Sequence, residues 1–72
     1  MTMIEVFKTD VKKTGQAKKM LRILLASNPV CRINFDLEDC DKVLRVEGQE
    51  FCPTRVIDLL KQNGHHCEIL TC

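Results

Sequence analysis

Hydrophobic and polar residues alternate between positions 30 and 48, and this alternation predicts one antiparallel β-hairpin. The polar segment 38–41 in its middle consists largely of residue types that bond their own backbone in turns. The alternating apolar residues are Cys31, Ile33, Phe35 and Leu37 before the turn and, less regularly, Val43, Leu44 and Val46 after it. The hairpin therefore occupies the middle of the chain, and the other predicted elements flank it.

The first flanking half contains one predicted strand and one predicted helix. Met3 to Thr9 favours a strand, in which a break in the alternation is compatible with a bulge near Phe7. The helix that follows has Thr14 as its expected N-cap and ends at Ser27–Asn28, because Pro29 disfavours helical geometry in the residue before it. The apolar positions at helical spacing are Ala17, Met20, Leu21 and Leu24.

The second flanking half repeats this order. Pro53 fits the first position of a second helix, where its missing donor costs nothing, and Gly64 fits the left-handed residue that ends it. A last strand is expected from His66 to Thr71. The positions that share one face of the second helix are Val56, Leu59, Leu60 and Asn63.

The resulting order of strand, helix, strand, strand, helix, strand predicts a ferredoxin-like βαββαβ fold in a single domain, residues 1–72. This is an α+β two-layer sandwich, with a four-stranded antiparallel sheet and two helices on one face. Another two-layer α+β sandwich is the alternative. We expect the core to contain Ile33, Phe35, Leu21, Leu24, Leu59 and Leu60.

Composition excludes two broad classes of protein. A hydrophobic content of 44% with 29% charged residues is too apolar for disorder and too charged for a membrane protein. The longest apolar run, Ile23 to Ala26, cannot span a bilayer, and the N-terminal residues lack the pattern of a signal peptide. The five cysteines are an odd number without a signal peptide, so we expect reduced thiols and a cytoplasmic protein.

Charge is divided unequally along the chain. Residues 1–29 carry six Lys or Arg and two Asp or Glu, whereas residues 30–72 carry five and eight. The overall charge of +1 argues against a nucleic-acid partner, and the division favours docking to an acidic protein surface or a small anion. A solvated charged loop at the start of the first helix is the alternative. The candidate contact residues are Lys12, Lys13, Thr14, Gly15, Lys18, Lys19 and Arg22.

The candidate metal ligands lie mainly near the C-terminus. His65, His66, Cys67 and Cys72 form a local cluster, but their spacing is not that of a structural zinc site. Adjacent residues of a strand point to opposite faces, so His66 and Cys67 cannot chelate one ion together without distortion. Cys52 stands apart, at the expected start of the second helix, where the helix dipole favours a thiolate. We expect Cys31 and Cys67 to be core residues.

With the elements in this order, the chain resembles the heavy-metal-associated domain family, which includes small copper chaperones and the N-terminal modules of metal-pumping ATPases. In that family a Met-Thr-Cys-x-x-Cys segment between the first strand and the first helix binds a soft metal ion. If Val11 takes the place of the methionine, Lys13 and Gln16 take the places of the two cysteines. The chain contains no Cys-x-x-Cys segment. The resemblance therefore implies the scaffold of the family without its thiolate site.

Two hypotheses follow for the function. The first is a binding module without enzymatic activity or cofactor, which contacts a protein or an anion. The alternative is a non-standard Cu or Zn binding protein that uses Cys52, His65, His66 and Cys67. The shared topology also raises an acylphosphatase-like enzyme, which the loop does not favour because it has no arginine beside its lysines, and amino-acid-binding regulatory domains that pair through exposed strand edges.

Overall fold

Four strands and two helices follow one another along the chain in the predicted order. The computed structural model describes residues 2–38 and 42–70. The elements are β1 (Met3–Thr9), α1 (Thr14–Ser27), β2 (Arg32–Asp36), β3 (Val43–Gly48), α2 (Pro53–Gln62) and β4 (Cys67–Ile69). This is the ferredoxin-like α+β sandwich that the sequence predicts. Most of the predicted hairpin turn, 39–41, lies outside the described residues.

The sheet has the order β2-β3-β1-β4, and every neighbouring pair is antiparallel. β1 and β3 therefore form its centre, and β2 and β4 form its edges. The pairing of β1 with β3 runs without interruption from Met3↔Gly48 to Lys8↔Val43, so the bulge considered near Phe7 is wrong. The alternation breaks because β1 carries apolar residues on both faces, with Phe7 buried on one and Ile4 49% exposed on the other.

The register separates a buried face from an open face. Phe7 stands opposite Leu44 on β3, and Leu44 stands opposite Phe35 on β2, so these three side chains share the face that packs against the helices. The open face carries mainly polar and charged residues, among them Lys8, Arg32, Asn34, Asp36, Arg45 and Glu68. Of the helices within residues 2–38 and 42–70, neither has the length and hydropathy of a transmembrane span.

The predicted core is half correct. Leu24, Ile33 and Leu60 are buried as expected, whereas Leu21, Phe35 and Leu59 are only partly buried at its margin. Phe35 lies on an edge strand with no neighbour on its outer side, and Leu21 lies beside it. The largest fully buried side chains are Phe7, Met20, Leu24, Leu44, Leu60, Val11, Val46 and Val56.

Three of the four helix ends follow the sequence signals. Asn28 caps the C-terminus of α1, and its N–H and side-chain Nδ2 both donate to the Leu24 carbonyl, at 2.8 and 3.1 Å. Pro53 begins α2 as predicted. Gly64 has φ +82°, and the next N–H, that of His65, donates to the Leu60 carbonyl at 2.9 Å, which makes a Schellman motif. The last strand, Cys67–Ile69, leaves out His66 and Leu70 of the predicted His66–Thr71, and Thr71 lies outside the described residues.

We predict that Leu24→Ala lowers the free energy of unfolding by about 2 to 5 kcal/mol, because it leaves a cavity in a fully buried position. Denaturant unfolding followed by circular dichroism measures the change. Leu25→Ala is the matched control, since Leu25 is 37% exposed, and it should cost less than about 1 kcal/mol. Equal losses for the two variants would contradict this description of the core.

We also predict that Gly48→Ala destabilises the fold through Cys31. A Cβ on Gly48 would lie 2.6 Å from Cys31 Sγ, so the substitution should cost roughly 1 to 3 kcal/mol. In a Cys31→Ala background the same substitution should cost less, because the remaining contacts, with the Cβ of residue 31 at 3.4 Å and its Cα at 3.6 Å, are ordinary van der Waals distances. A double-mutant cycle of unfolding free energies measures this coupling, and equal costs in both backgrounds would contradict it.

Candidate functional site

Five exposed cations project from the β1–α1 loop and from α1, and we call them the basic surface. They are Lys12, Lys13, Lys18, Lys19 and Arg22. Residues 11–35 contain no Asp or Glu, so no acidic side chain is interspersed among them. Within residues 2–38 and 42–70, none of the five forms an ion pair. The basic surface therefore presents charge that the described part of the chain leaves uncompensated.

The N-terminus of α1 lies within the basic surface. Lys13 is the N-cap and Thr14 is the first helical residue, so the prediction of Thr14 as N-cap is wrong. The end is capped instead by Gln16, whose Oε1 accepts the backbone N–H groups of Lys12 and Lys13 at 3.3 and 3.4 Å. An amide on the third helical residue can reach back to the N-cap N–H, which is one half of a capping box; the lysine at the N-cap cannot supply the other half, because its ammonium group is no acceptor.

No acidic residue occupies the first turn of α1. The positive end of the helix dipole and the neighbouring lysines therefore repel one another weakly, and a carboxylate from outside the chain would relieve that repulsion. A Cβ at Gly15 would meet nothing within 4 Å, so the backbone there does not require glycine. The site is open to solvent and to a partner from this side.

Hydrogen bonds and burial fix the first residues of the β1–α1 loop. Thr9 is buried, and its Oγ1 donates to the Lys42 carbonyl at 2.6 Å and accepts the Val11 N–H at 3.3 Å. Asp10 Oδ1 accepts the His66 N–H at 3.0 Å and lies 3.3 Å from His65 Nδ1. Val11 is fully buried. These contacts tie the β1–α1 loop to the connection between α2 and β4.

The positions suggested by the family resemblance do not fit a soft metal ion. Val11, in the place of the methionine, is in the core, while Lys13 and Gln16 are exposed at the start of α1. An ammonium group repels a cation, and the Gln16 amide oxygen already accepts two backbone donors. Lys13 therefore contributes a positive charge and Gln16 a helix cap, and the two side chains are not a pair of metal ligands.

The residues of the alternative metal hypothesis lie at two ends of α2. Cys52 is the exposed N-cap, whereas His65, His66 and Cys67 follow the C-terminus. The ten residues of α2 separate the two groups by about 15 Å. Among residues 2–38 and 42–70, no group of three or more His, Cys, Asp or Glu is placed to hold a metal ion. Cys72 lies outside the described residues.

Cys31 and Cys67 are both buried, which confirms their prediction as core residues. The pKa of the Cys67 thiol is raised to about 12, mainly by burial; Lys61 opposes this shift, and Asp10 and Glu68 add to it. Cys67 is therefore a neutral thiol at physiological pH. Since the thiolate is the metal ligand and the nucleophile, this environment disfavours both roles.

Two grooves border the edge strand β2, and sequence reasoning missed both. One, of about 260 Å³, lies between β2 and the first half of α1; it is lined by Thr14, Ala17, Lys18, Leu21, Asn34, Phe35 and Leu37. The other, of about 240 Å³, lies at the start of β2; its lining includes Val30, Arg32, Glu47 and Gly48. The sequence signal for the first groove is the pair of apolar residues Leu21 and Phe35, and it indicates a groove only once β2 is known to be an edge.

Comparison with protein-family models and with curated proteins leaves the description of the site unchanged. No protein-family model matches this chain, and no curated protein does. The basic surface, the anchored loop and the grooves along β2 are therefore the features on which a function can be argued.

Proposed function

We propose that this protein is a binding module without enzymatic activity that docks through its basic surface onto an acidic protein surface. The observation that carries the proposal is the set of five exposed cations without an ion pair in the described part of the chain. A soluble surface that serves no charged partner intersperses both signs of charge, whereas residues 11–35 contain no Asp or Glu. A partner would supply that missing negative charge.

The extent of the basic surface favours a protein over a small anion. Lys13, the N-cap of α1, and Arg22 are nine residues apart, and a helical rise of 1.5 Å per residue separates them by about 14 Å. A single phosphate or carboxylate would contact only one end of this surface. An acidic face of a protein could contact its whole length, with one carboxylate near the N-terminus of α1.

The helix that carries most of the basic surface is held in place by its buried side, which makes this surface rigid. Ala17, Met20 and Leu24 hold the opposite side of α1 in the core. Binding then requires little rearrangement of the backbone. Exposed charges of this kind act mainly on the rate of association, and salt weakens their effect.

We further propose that the chain is a divergent relative of the heavy-metal-associated domain that has replaced metal binding with protein contact. Support comes from the βαββαβ order, from the burial of Val11 at the family's methionine position, and from the exposure of Lys13 and Gln16 at the start of α1. In this proposal the loop that presents a metal ion in the family presents positive charge here.

We predict that Lys18→Glu with Arg22→Glu slows association with the partner, because it reverses two charges one turn apart on α1. The partner is first captured by crosslinking to the wild-type protein, and association rates are then measured at low and physiological ionic strength. The wild-type rate should fall with salt, and the variant should associate at least about tenfold more slowly at low salt.

Arg55→Glu with Lys61→Glu is the matched control, since it reverses two exposed charges on α2. Unfolding curves of both double variants establish that each remains folded. An association rate that is insensitive to salt, or equal effects of the α1 and α2 variants, would exclude the basic surface as the docking site.

We also predict that Lys13→Cys with Gln16→Cys creates a Cu(I) site. Two thiols at the N-terminus of α1 would have lowered pKa values and would be soft ligands, so Cu(I) affinity should rise far above that of the unmodified chain. Loss of the Gln16 cap should cost roughly 1 kcal/mol of stability without unfolding the domain. Competition dialysis with a Cu(I) chelator measures the affinity.

Each single cysteine variant is the control, and it should bind much more weakly than the pair. A folded double variant without a gain in affinity would show that the loop lacks the family's geometry. If the unmodified chain already binds Cu(I) as tightly, the metal hypothesis built on Cys52, His65, His66 and Cys67 would replace the proposal of a metal-free module.

A further inference from the structure

The edge strand β2 has little protection against pairing with another strand. It is five residues long and contains neither proline nor lysine, the residues that commonly block an exposed edge. The other edge strand, β4, has only three residues, which limits any ladder that it could form. The two grooves also border β2. Pairing at an edge of this sheet is therefore favoured at β2.

The sequence of β2 is complementary to itself in the antiparallel direction. Its five residues are basic, apolar, polar, apolar and acidic in order: Arg32, Ile33, Asn34, Phe35 and Asp36. When two copies pair about Asn34, Arg32 of each stands opposite Asp36 of the other. Ile33 then stands opposite Phe35, and the two Asn34 amides meet at the symmetry axis. A shift of the register by two residues removes this match of opposite charges.

The faces of the sheet are compatible with this arrangement. Arg32, Asn34 and Asp36 all lie on the open face, as their pairing with β3 shows. A two-fold axis perpendicular to the sheet keeps that face common to both copies, so all four charges lie on one side of an eight-stranded sheet. Arg32 and Asp36 are exposed, and neither forms an ion pair within residues 2–38 and 42–70.

Apolar residues beside β2 favour a second copy of this chain as the molecule that pairs with this edge. Leu21 and Phe35 line the groove between α1 and β2. Leu25 lies one turn after Leu21 on α1 and is 37% exposed. A second copy would bring its own Leu21 and Leu25 toward the same groove from across the axis.

We propose that two copies of this chain form a symmetric dimer through antiparallel pairing of their β2 strands, specified by reciprocal ion pairs between Arg32 and Asp36. The inference is independent of the proposed acidic partner. A five-residue ladder with its flanking apolar contacts is small by the standard of stable interfaces. We therefore expect a reversible dimer whose dissociation constant lies in the micromolar to millimolar range.

Charge reversal at the two ends of β2 tests the register directly. Asp36→Arg places two arginines opposite each other at both ends of the ladder, and Arg32→Asp places two aspartates there. Each variant alone should dimerise at least roughly tenfold more weakly than the wild type. An equimolar mixture of the two variants should recover dimerisation as a heterodimer, because one chain then carries only arginines at these positions and the other only aspartates. Sedimentation over a concentration series measures these constants.

Arg55→Asp on α2 is the control for a change of charge away from β2, and its dimerisation should match the wild type. Arg32 also stands opposite Glu47 within its own sheet, so Arg32→Gln is measured beside Arg32→Asp and should weaken the dimer without a like-charge contact. Unfolding curves establish that each variant is folded.

Four results would overturn the proposal. The wild type could remain monomeric at millimolar concentration, or its dimer could be insensitive to both reversals, or the mixture of variants could fail to recover dimerisation. A β2 edge that instead captures an extended peptide from another protein, with no self-association, would also overturn it. Failure here leaves the acidic-partner proposal unaffected, because that proposal is tested by the charges of α1.

Discussion

The antiparallel pairing of β1 with β3 is the interaction on which the rest of the structure depends. It joins residues about 40 positions apart along six consecutive pairs and sets Phe7 opposite Leu44 at the centre of the core. Once these strands are central, β2 and β4 become edges, and α1 and α2 cover the face that holds Phe7 and Leu44. The basic surface and the β2 edge are both positioned by this one pairing, on adjoining sides of the molecule.

The local features of the fold could be predicted from the sequence because they depend on neighbouring residues. The alternation around Ile33, the stop before Pro29 and the turn at Gly64 each specify a conformation through nearby atoms. Which apolar residues are fully buried and which are only partly buried could not be predicted as well. Leu21 and Phe35 are apolar residues at the right period, yet their burial depends on which strand lies at the edge of the sheet, and that depends on contacts far apart in the chain.

The candidate site shows the same limit. The cations of the basic surface and the placement of Cys52 at the start of α2 could be predicted from charge and helix signals. The Gln16 cap, the contact of Asp10 with the His66 N–H, and the burial of Val11 within a charged loop required the geometry. The five residues of β2 can be recognised as self-complementary from the sequence. They indicate pairing between two copies only once β2 is known to be an edge of the sheet.

The anchoring of Thr9, Asp10 and Val11 also has a consequence for the entropy of binding. A flexible loop loses roughly 1 to 2 kcal/mol of backbone freedom per residue when a partner orders it. Here the hydrogen bonds of Thr9 and Asp10 and the burial of Val11 have already fixed the backbone that leads into α1. A partner that contacts Lys12 and Lys13 would order their side chains alone, so more of the electrostatic attraction would remain as net affinity.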